Sequence, residues 1–567
     1  MTGRRKAIEK GRILEKCLLT LTILAISQSA FAVDPPGAGN QIRQVPSAPA
    51  PPPRSAPEIR YQQGAAAPAA LADEVTIVVQ RLDIAAARAF PRPELLAVSG
   101  FVPGAELNLS ALRAMAAKIA DFYHQNGYFL AQAFLPAQDI RDGVVSIALL
   151  EGQYGAVTLR NQSALNDGLA QRVLGGLDNG DTIAAAPLER RLLLLSDLPG
   201  VEVKSTLLPG ASVGASDLVV EVTPGQRVGG SVDLDNQGNR YTGTKRIGAN
   251  LSVNEPTGHG DAASLRVFTS ADGLNYGRAA YQGQLGLSKL GLAYTAMDYR
   301  LGREFAALRA DGNAKIASVY GSYPLLRSRA NNLYAQVNYD SKSFRDKSEA
   351  GANVNDKDVD VWMVNVNGEC RDGLGGGGAS NYSLTWTVGK VEIGTPAALQ
   401  NDQATVRSNG RFHKWSLSAV RLQGWTERTA LYAALSAQLA SKNLDISEKM
   451  GLGGVGAVRA YPGGEGYADQ GYVLNLEVRR TLPAMAAWPG QAQAVAFVDT
   501  GSVSLNKDAW APGPNRRTLS GAGLGLTWAG ANGVALKLYY AHKLGNARAS
   551  SVPDAMGRFW LQAVKYF

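Results

Sequence analysis

The sequence predicts a membrane β-barrel of sixteen antiparallel strands, preceded by two small α+β units. Three observations carry that expectation. Residues 226–567 show no helical periodicity; they run in short segments that alternate apolar and polar, separated by Gly, Asn and Asp turns. Glycine supplies 63 of 567 residues, charged residues only 19%, and apolar residues 45%, which is far too apolar for a disordered chain. Only one segment, near the N-terminus, is apolar without alternation, and it is too short to span a bilayer as a helix. A multi-span helical membrane protein is therefore excluded. Two Cys and four His exclude a disulfide scaffold and argue against a Cys/His metal cluster.

Residues 1–32 read as a secretory signal. Arg4, Arg5, Lys6, Lys10, Arg12 and Lys16 form a basic region, Cys17 to Ile26 a mostly apolar run, and Ala30-Phe31-Ala32 a small-x-small cleavage site. The segment carries six basic and two acidic residues, so the formal +9 falls to +5 after its removal. No dense basic run follows it, so nucleic acid is not an expected partner. Cys17 leaves with the signal and Cys370 stands alone, so rigidity must come from something other than a disulfide.

Residues 33–72 hold nine prolines among Ala, Gly and Gln, and predict an extended linker with no convincing amphipathic helix. Residues 73–153 and 154–225 then predict two β-α-α-β-β units in tandem. The first has a strand at Val75–Leu82, a short helix near Pro93–Val98, and a helix capped by Ser110 with Leu112, Met115, Ile119, Phe122 and Tyr123 on one face. Gly127 stops that helix. Strands Phe129–Leu135 and Val144–Leu150 follow, with Asp142-Gly143 as the hairpin signal. The second unit repeats the order: strand Ala156–Asn161, helices Ala164–Leu174 and Pro187–Leu198, strands Glu202–Leu208 and Leu218–Thr223. A small sheet of this kind can leave an open edge, and an open edge can bind another chain by strand addition.

Sixteen candidate strands begin near Arg227, Lys245, Ala262, Tyr276, Leu290, Lys315, Asn332, Asp358, Asn381, Arg411, Thr429, Gly471, Ala492, Arg517, Gly533 and Arg558. Tyr472, Leu474, Leu476 and Val478 oppose Val473, Asn475, Glu477 and Arg479, so one face suits lipid and the other water. An even count of this size closes with no exposed edge and leaves a wet interior. The last strand ends on Phe567, with Leu561 and Phe559 on the same face and Lys565 interrupting it.

Two familiar motifs fail on context. Gly451-x-Gly453-x-x-Gly456 matches a dinucleotide fingerprint, but Tyr461-Pro462-Gly463-Gly464 follows where a helix must. Gly210-Ala211-Ser212-Val213-Gly214 sits in a turn between two strands rather than at a strand-to-helix elbow. His124, His259, His413 and His542 lack ligand spacing. Nothing argues for an enzyme, a cofactor or a metal. The informative stretch is Gly453 to Pro462, where Arg459 stands between Val458 and Ala460. If this loop folds into a lumen, the guanidinium needs a carboxylate. Asp499, in Phe497-Val498-Asp499-Thr500-Gly501, is a candidate, although alternation alone does not fix which way it faces; a surface arginine is the bland alternative.

At these residues the chain resembles the outer-membrane transporters of two-partner secretion, the hemolysin-secretion or filamentous-hemagglutinin-transporter family of the outer-membrane assembly-factor superfamily. Val458-Arg459-Ala460-Tyr461 resembles the family's sixth-loop motif, with Ala460 in the place of Gly. Phe497-x-Asp499-x-Gly501 resembles its strand motif. Asp235-Asn236-x-Gly238-x-Arg240-Tyr241-Thr242-Gly243 is similar to its first barrel hairpin. Leu135-Pro136-x-Gln138-x-Ile140-x-Asp142-Gly143, with Glu151-Gly152, is similar to its first polypeptide-transport-associated (POTRA) domain.

The resemblance implies a sixteen-stranded barrel in the bacterial outer membrane with two periplasmic POTRA domains. These would capture an unfolded TpsA-like exoprotein, of hemolysin or adhesin type, for passage through the pore. It implies that Arg459 pairs with Asp499 and holds the loop inside the barrel. It implies outer-membrane lipid and lipopolysaccharide as surroundings, and the barrel-assembly machinery and periplasmic chaperones during biogenesis. Family members often carry a pore-plugging N-terminal helix; here residues 33–60 depart from that pattern, which leaves residues 33–72 as a linker or a plug segment. A barrel-insertion factor of the same superfamily and a passive porin are the competing readings. Having two POTRA units rather than more argues against the first. A periplasmic region that a porin would not use argues against the second.

Overall fold

The computed structural model describes residues 35–46, 48, 49, 57–61, 76–484 and 489–567. The expected signal over residues 1–32, with Cys17, lies outside the described residues, as does much of the Pro-rich stretch.

The described chain opens with a helix, α1 (Ala38–Arg43), and a strand, β1 (Glu58–Tyr61). Both fall in the segment expected to be an extended linker or a plug segment, and over these residues the extended linker is corrected. Ala-Gly-Asn-Gln-Ile-Arg has no apolar stripe, and six residues are too few to be helical alone. The helix instead rests on its surroundings inside the barrel: Ala38 and Gln41 are buried, and the Ala38 amide donates to Asp346 Oδ1 at 2.7 Å.

The first α+β unit comprises β2 (Thr76–Val79), β3 (Arg81–Ala85), α2 (Arg92–Ser99), β4 (Ala105–Asn108), α3 (Leu109–Gln125), β5 (Gln132–Phe134) and β6 (Val144–Leu150). The single strand expected at 75–82 is broken at Gln80. The amides of Gln80 and Arg81 both donate to the Gly143 carbonyl, and the chain then switches partners. β2 pairs antiparallel with β4, whereas β3 pairs parallel with β6. The cap of α3 is Asn108, whose side chain accepts from the Ala111 amide at 2.8 Å, not Ser110. Leu112, Ile119 and Tyr123 are buried, while Met115 and Phe122 are only partly so. The strand expected at 129–135 shrinks to three residues, and the Gln138 side chain continues the ladder by bonding both the amide and the carbonyl of Ser146 at 2.7 Å.

The second unit comprises β7 (Gln153–Asn161), α4 (Asp167–Leu174), α5 (Ala185–Ser196), β8 (Val201–Pro209) and β9 (Ala215–Pro224). Its helices cover one face of the sheet with Leu169, Val173, Leu188, Leu192 and Leu195, all buried against Val203, Leu218 and Val220. The sheet order is β1-β8-β9-β7, so the edge of β8 is already taken by the chain's own β1.

Sixteen strands then close a barrel in sequence order, β10 pairing with the last strand. They are β10 (Val228–Asp235), β11 (Arg246–Asn254), β12 (Ala262–Ser270), β13 (Leu274–Leu285), β14 (Ser288–Arg300), β15 (Ala310–Arg327), β16 (Asn331–Ser348), β17 (Asn353–Asp372), β18 (Gly378–Ile393), β19 (Gly410–Thr426), β20 (Thr429–Ala440), β21 (Gln470–Thr481), β22 (Gly490–Ser504), β23 (Arg516–Gly530), β24 (Val534–Leu544) and β25 (Gly557–Tyr566). Every barrel pair is antiparallel. Tyr472, Leu476, Val478, Leu538 and Tyr540 face outward and exposed, while Val473 and Glu477 are buried inside. An apolar outside and a polar inside is the arrangement that lipid outside and water inside require. Strands β15 to β19 run 16–20 residues, longer than the short alternating segments read from the sequence. Their polar far ends stay in register through pairs such as Arg345–Asp356 at 2.6 Å.

Candidate functional site

The α+β units sit at one end of the barrel, where the turns 255–261, 286–287 and 328–330 meet the second unit. Asn166 donates to the Gly258 carbonyl at 2.8 Å, and Arg327 forks onto Asp197 at 2.7 and 2.8 Å. The stretch 441–469, between β20 and β21, opens from the far end and folds back into the lumen. Val458, Arg459, Ala460 and Tyr461 are all buried there.

Arg459 and Asp499 lie together. The guanidinium meets Asp499 bidentately, Nε to Oδ2 at 2.8 Å and Nη2 to Oδ1 at 2.7 Å, and the Arg459 amide adds a third bond at 3.0 Å. Nη1 donates to Glu477 Oε1 at 2.7 Å. The guanidinium carbon lies 3.5 Å from the Phe497 ring centre, so the cation is held between carboxylates and an aromatic face. Burial works against the charged guanidinium, and the Asp499 and Glu477 carboxylates outweigh it, so its pKa stands above the ordinary arginine value. Asn475 ties Asp499 Oδ1 to the Ala457 carbonyl with bonds of 2.7 and 2.8 Å, and the Trp560 indole donates to the Arg459 carbonyl at 2.7 Å. A fork on a buried carboxylate fixes orientation as well as charge.

The other motif residues shape the seat. Val458 bridges to Gly453, and Tyr461 donates to the Ala547 carbonyl at 2.9 Å. Ala460 packs on β23 at Gly521, where any side chain would collide: a Cβ there would lie 2.5 Å from the Ala460 methyl. Gly501 likewise gives room for Leu452. Sequence reasoning missed Glu477 as the second carboxylate, although alternation placed it on the face opposite Leu476. It also missed Glu465, which is fully buried and bonds the amides and hydroxyls of Ser550 and Ser551 and pairs with Arg517. Burial pushes the Glu465 carboxyl up, but Arg517 and the two serines hold it below its ordinary value.

A second cluster seats α1. Asp445 pairs with Lys357 at 2.7 Å, Glu448 with Lys342 and Lys414 at 2.7 and 3.0 Å, and Asp469 with Lys449 at 3.1 Å. These pairs hold the short turn Ile446–Glu448 against the helix. A Cβ on Gly39 would lie 2.7 Å from the Ile446 side chain. Tyr467 donates to the Asn40 carbonyl at 3.1 Å, and Arg246 to the Gln44 carbonyl at 3.2 Å. Below the helix, Val45, Pro46 and Ala48 line a cavity of about 700 Å³ together with Asn250, Arg266, Arg278 and Asn338. Among the described residues no group of three or more His, Cys, Asp or Glu is placed to hold a metal ion.

The first hairpin motif closes the barrel seam. Asp235 forks with Arg246 at 2.9 and 3.1 Å, Asp233 pairs with Arg266, and Asn236 bonds both Phe559 and Leu561 of β25 at 2.9 and 2.8 Å.

A closed sixteen-stranded barrel with two α+β units at one mouth and a charged loop folded into its lumen defines an outer-membrane polypeptide transporter. The family model of the haemolysin secretion/activation proteins ShlB/FhaC/HecB matches residues 214–528, and that of the ShlB-type POTRA domain matches residues 77–152. The chain belongs to this family of outer-membrane two-partner secretion transporters, with its POTRA domains in the periplasm. It is 28% identical over 474 residues to the heme/hemopexin transporter protein HuxB of Haemophilus influenzae, covering 82% of each chain. It is 25% identical over 381 residues to the outer membrane transporter CdiB of Dickeya dadantii, covering 62% of this chain and 63% of that one. The solved structure of CdiB from Escherichia coli matches its fold with a TM-score of 0.70 at 21% identity, over 89% of this chain and 93% of that one.

Proposed function

We propose that the POTRA domains collect an unfolded exoprotein of hemolysin or adhesin type in the periplasm and that it leaves in extended form through the barrel lumen. The observation that carries this reading is the lumen itself. Its walls are polar, and two separable pieces of the same chain, α1 and the loop 441–469, occupy it. A passive porin has no use for either. The Arg459–Asp499–Glu477 cluster serves as the fastening that sets the loop's position, and α1 serves as a short plug.

The chain acts by transport and not by catalysis: its buried carboxylates at the loop are engaged with cations rather than left open to a substrate. Outer-membrane phospholipid and lipopolysaccharide cover the exposed apolar band. The barrel-assembly machinery and periplasmic chaperones place it there, and nucleic acid has no part.

The test compares the culture medium of the wild-type host with that of a deletion strain. Polypeptides that depend on the chain are its cargo. Arg459→Ala and Asp499→Ala should each sharply reduce that export with the barrel still assembled, and the double variant should be no worse than either single one. Wild-type export from both single variants, with intact barrels, overturns the fastening. Free entry of small sugars into proteoliposomes carrying the wild type would support the porin instead.

A further inference from the structure

The charges around the lumen cavity below α1 do not balance. Arg266 on β12 and Arg278 on β13 stand directly opposite each other in the strand register, and both line the cavity. Like charges so placed repel. One carboxylate, Asp233, serves the pair, and it takes both Nη atoms of Arg266. Arg266 is only 6% exposed, yet its Nε finds no acceptor among the described residues. Arg278 is half-buried and meets no carboxylate among them; its Nη1 donates to the Thr295 hydroxyl at 3.2 Å. The lumen lysines that seat α1 differ, since Lys342, Lys357 and Lys414 each have a carboxylate at 2.7 to 3.0 Å. Asp340 is the one carboxylate among the described lining residues, and it pairs loosely with Lys342 at 3.9 Å.

Around the two arginines the wall is polar and mostly uncharged. Ser264, Gln282, Ser318, Gln336 and Asn338 line the same cavity from β12, β13, β15 and β16. Hydroxyls and carboxamides both donate and accept, so they suit the amides and carbonyls of an extended main chain. The chain's own Val45, Pro46 and Ala48 reach this cavity and bring no charge to it. Arg278 therefore stands in the passage with its charge unused.

We propose that Arg278, backed by Arg266, is a carboxylate-binding station in the lumen: it takes the Asp and Glu side chains of an extended polypeptide, while the hydroxyls and carboxamides around it hold the main chain. This inference rests on the translocator reading above and names the charge class of segment that the lumen favours. A cation in a wet passage with low-dielectric walls raises the local concentration of opposite charge. The planar guanidinium then meets both oxygens of a carboxylate. A pair left open to lumen water is weak, so each acidic side chain is held and released as the chain moves on.

The experiment uses the full chain carrying Arg278→Glu, Arg278→Gln or Arg278→Lys, each checked for barrel assembly by heat-dependent gel mobility. Export is read on the polypeptides that vanish from the medium of the deletion strain. Arg278→Glu should slow it several-fold, Arg278→Gln less, and Arg278→Lys, which restores the charge, should recover part of it. In planar bilayers, hexaglutamate added on the POTRA side should shorten wild-type openings several-fold and leave those of Arg278→Gln unchanged. Hexalysine, and monomeric glutamate at matched carboxylate concentration, should do neither. Wild-type export from an assembled Arg278→Glu barrel overturns the station, as does an equal response of wild type and Arg278→Gln to hexaglutamate. Monomeric glutamate as effective as the hexamer would make the site a filter for small anions and overturn the polypeptide reading. A deletion strain that loses no secreted polypeptide overturns the translocator reading itself. The bilayer comparison needs no cargo, so the two failures are distinguishable.

Discussion

At the scale of single residues, the decisive feature is a buried cation with two carboxylates. Removing one partner of a buried, hydrogen-bonded pair costs about 3–5 kcal/mol, because the other charge is left without a counterpart. Asp499→Ala should therefore lower the barrel's thermal unfolding midpoint more than Glu477→Gln. Asp499 takes three bonds from Arg459 and one from Asn475, whereas Glu477 takes one from Arg459 and keeps Arg479 at 2.7 Å. The reverse order, read as midpoints of heat-dependent gel mobility, would show that Glu477 is the main anchor. A different residue sets a pH dependence. Glu255, in the turn facing the second POTRA unit, is 5% exposed at a φ of +53°, with neither oxygen well hydrogen-bonded among the described residues. Burial and the nearby Asp261 push its carboxyl from 4.5 up to about 7, against weaker help from the Gly260 amide and His259. A carboxyl kept neutral in the fold but ionised when unfolded costs nothing below its unfolded value. The cost grows as pH rises from there to the folded value and is constant above it. Thermal stability should therefore fall between about pH 4.5 and 7, and Glu255→Gln should flatten that fall; identical pH profiles for both proteins would clear Glu255 of the role.

At the scale of elements, the strands were legible and the helix α1 was not, for one physical reason. A spanning strand must present apolar side chains to lipid at every second residue, so its position is written in the local sequence. The predicted strand starts fall within five residues of the observed ones throughout. The helix α1 carries no such requirement. Its six residues meet polar and apolar groups from the loop 441–469 and from several strands, so its stability is entirely tertiary. The same distinction explains smaller departures. Asn108 caps α3 in place of Ser110 because the chain enters the helix from β4, and Gln80 breaks a strand because a distant carbonyl, that of Gly143, claims its amide. At the site, alternation put Glu477 on the lumen face, but the neighbour it would meet depended on a loop whose path has no periodicity. The seat of α1 supplies a direct test. Gly39 approaches Ile446 so closely that Gly39→Leu cannot keep the helix in place. The variant should assemble normally and show severalfold greater conductance in planar bilayers. Wild-type conductance would mean that α1 does not limit the pore.

At the scale of the whole molecule, the question is whether cargo leaves through the lumen or through the wall. An exit through the wall would have to part the first and last strands, and their contact is what would resist it. Here β10 and β25 pair from Ser231–Tyr566 to Asp235–Gln562. Beyond that ladder, Gly230 and Phe567 exchange amide–carbonyl bonds of 3.0 and 3.1 Å at one end, and Asn236 bonds Phe559 and Leu561 at the other. The seam is thus paired from Gly230 to Asn236. Buried pairs of Asp233 with Arg266 and Asp235 with Arg246 brace the strand from the inside. Opening it would break these ladder bonds and expose main-chain groups to lipid, where each unsatisfied group costs several kcal/mol. The lumen route needs neither: it requires only that α1 and the loop 441–469 give way. A cross-link of the seam therefore separates the two routes. In a Cys370→Ser background, Ser231→Cys with Tyr566→Cys places two thiols on directly opposed residues whose amides bond elsewhere, the geometry that suits a disulfide. The oxidised protein should export its cargo at the rate of the reduced one. Loss of export on oxidation, regained on reduction, would move the path from the lumen to the wall and make the closed seam a resting state.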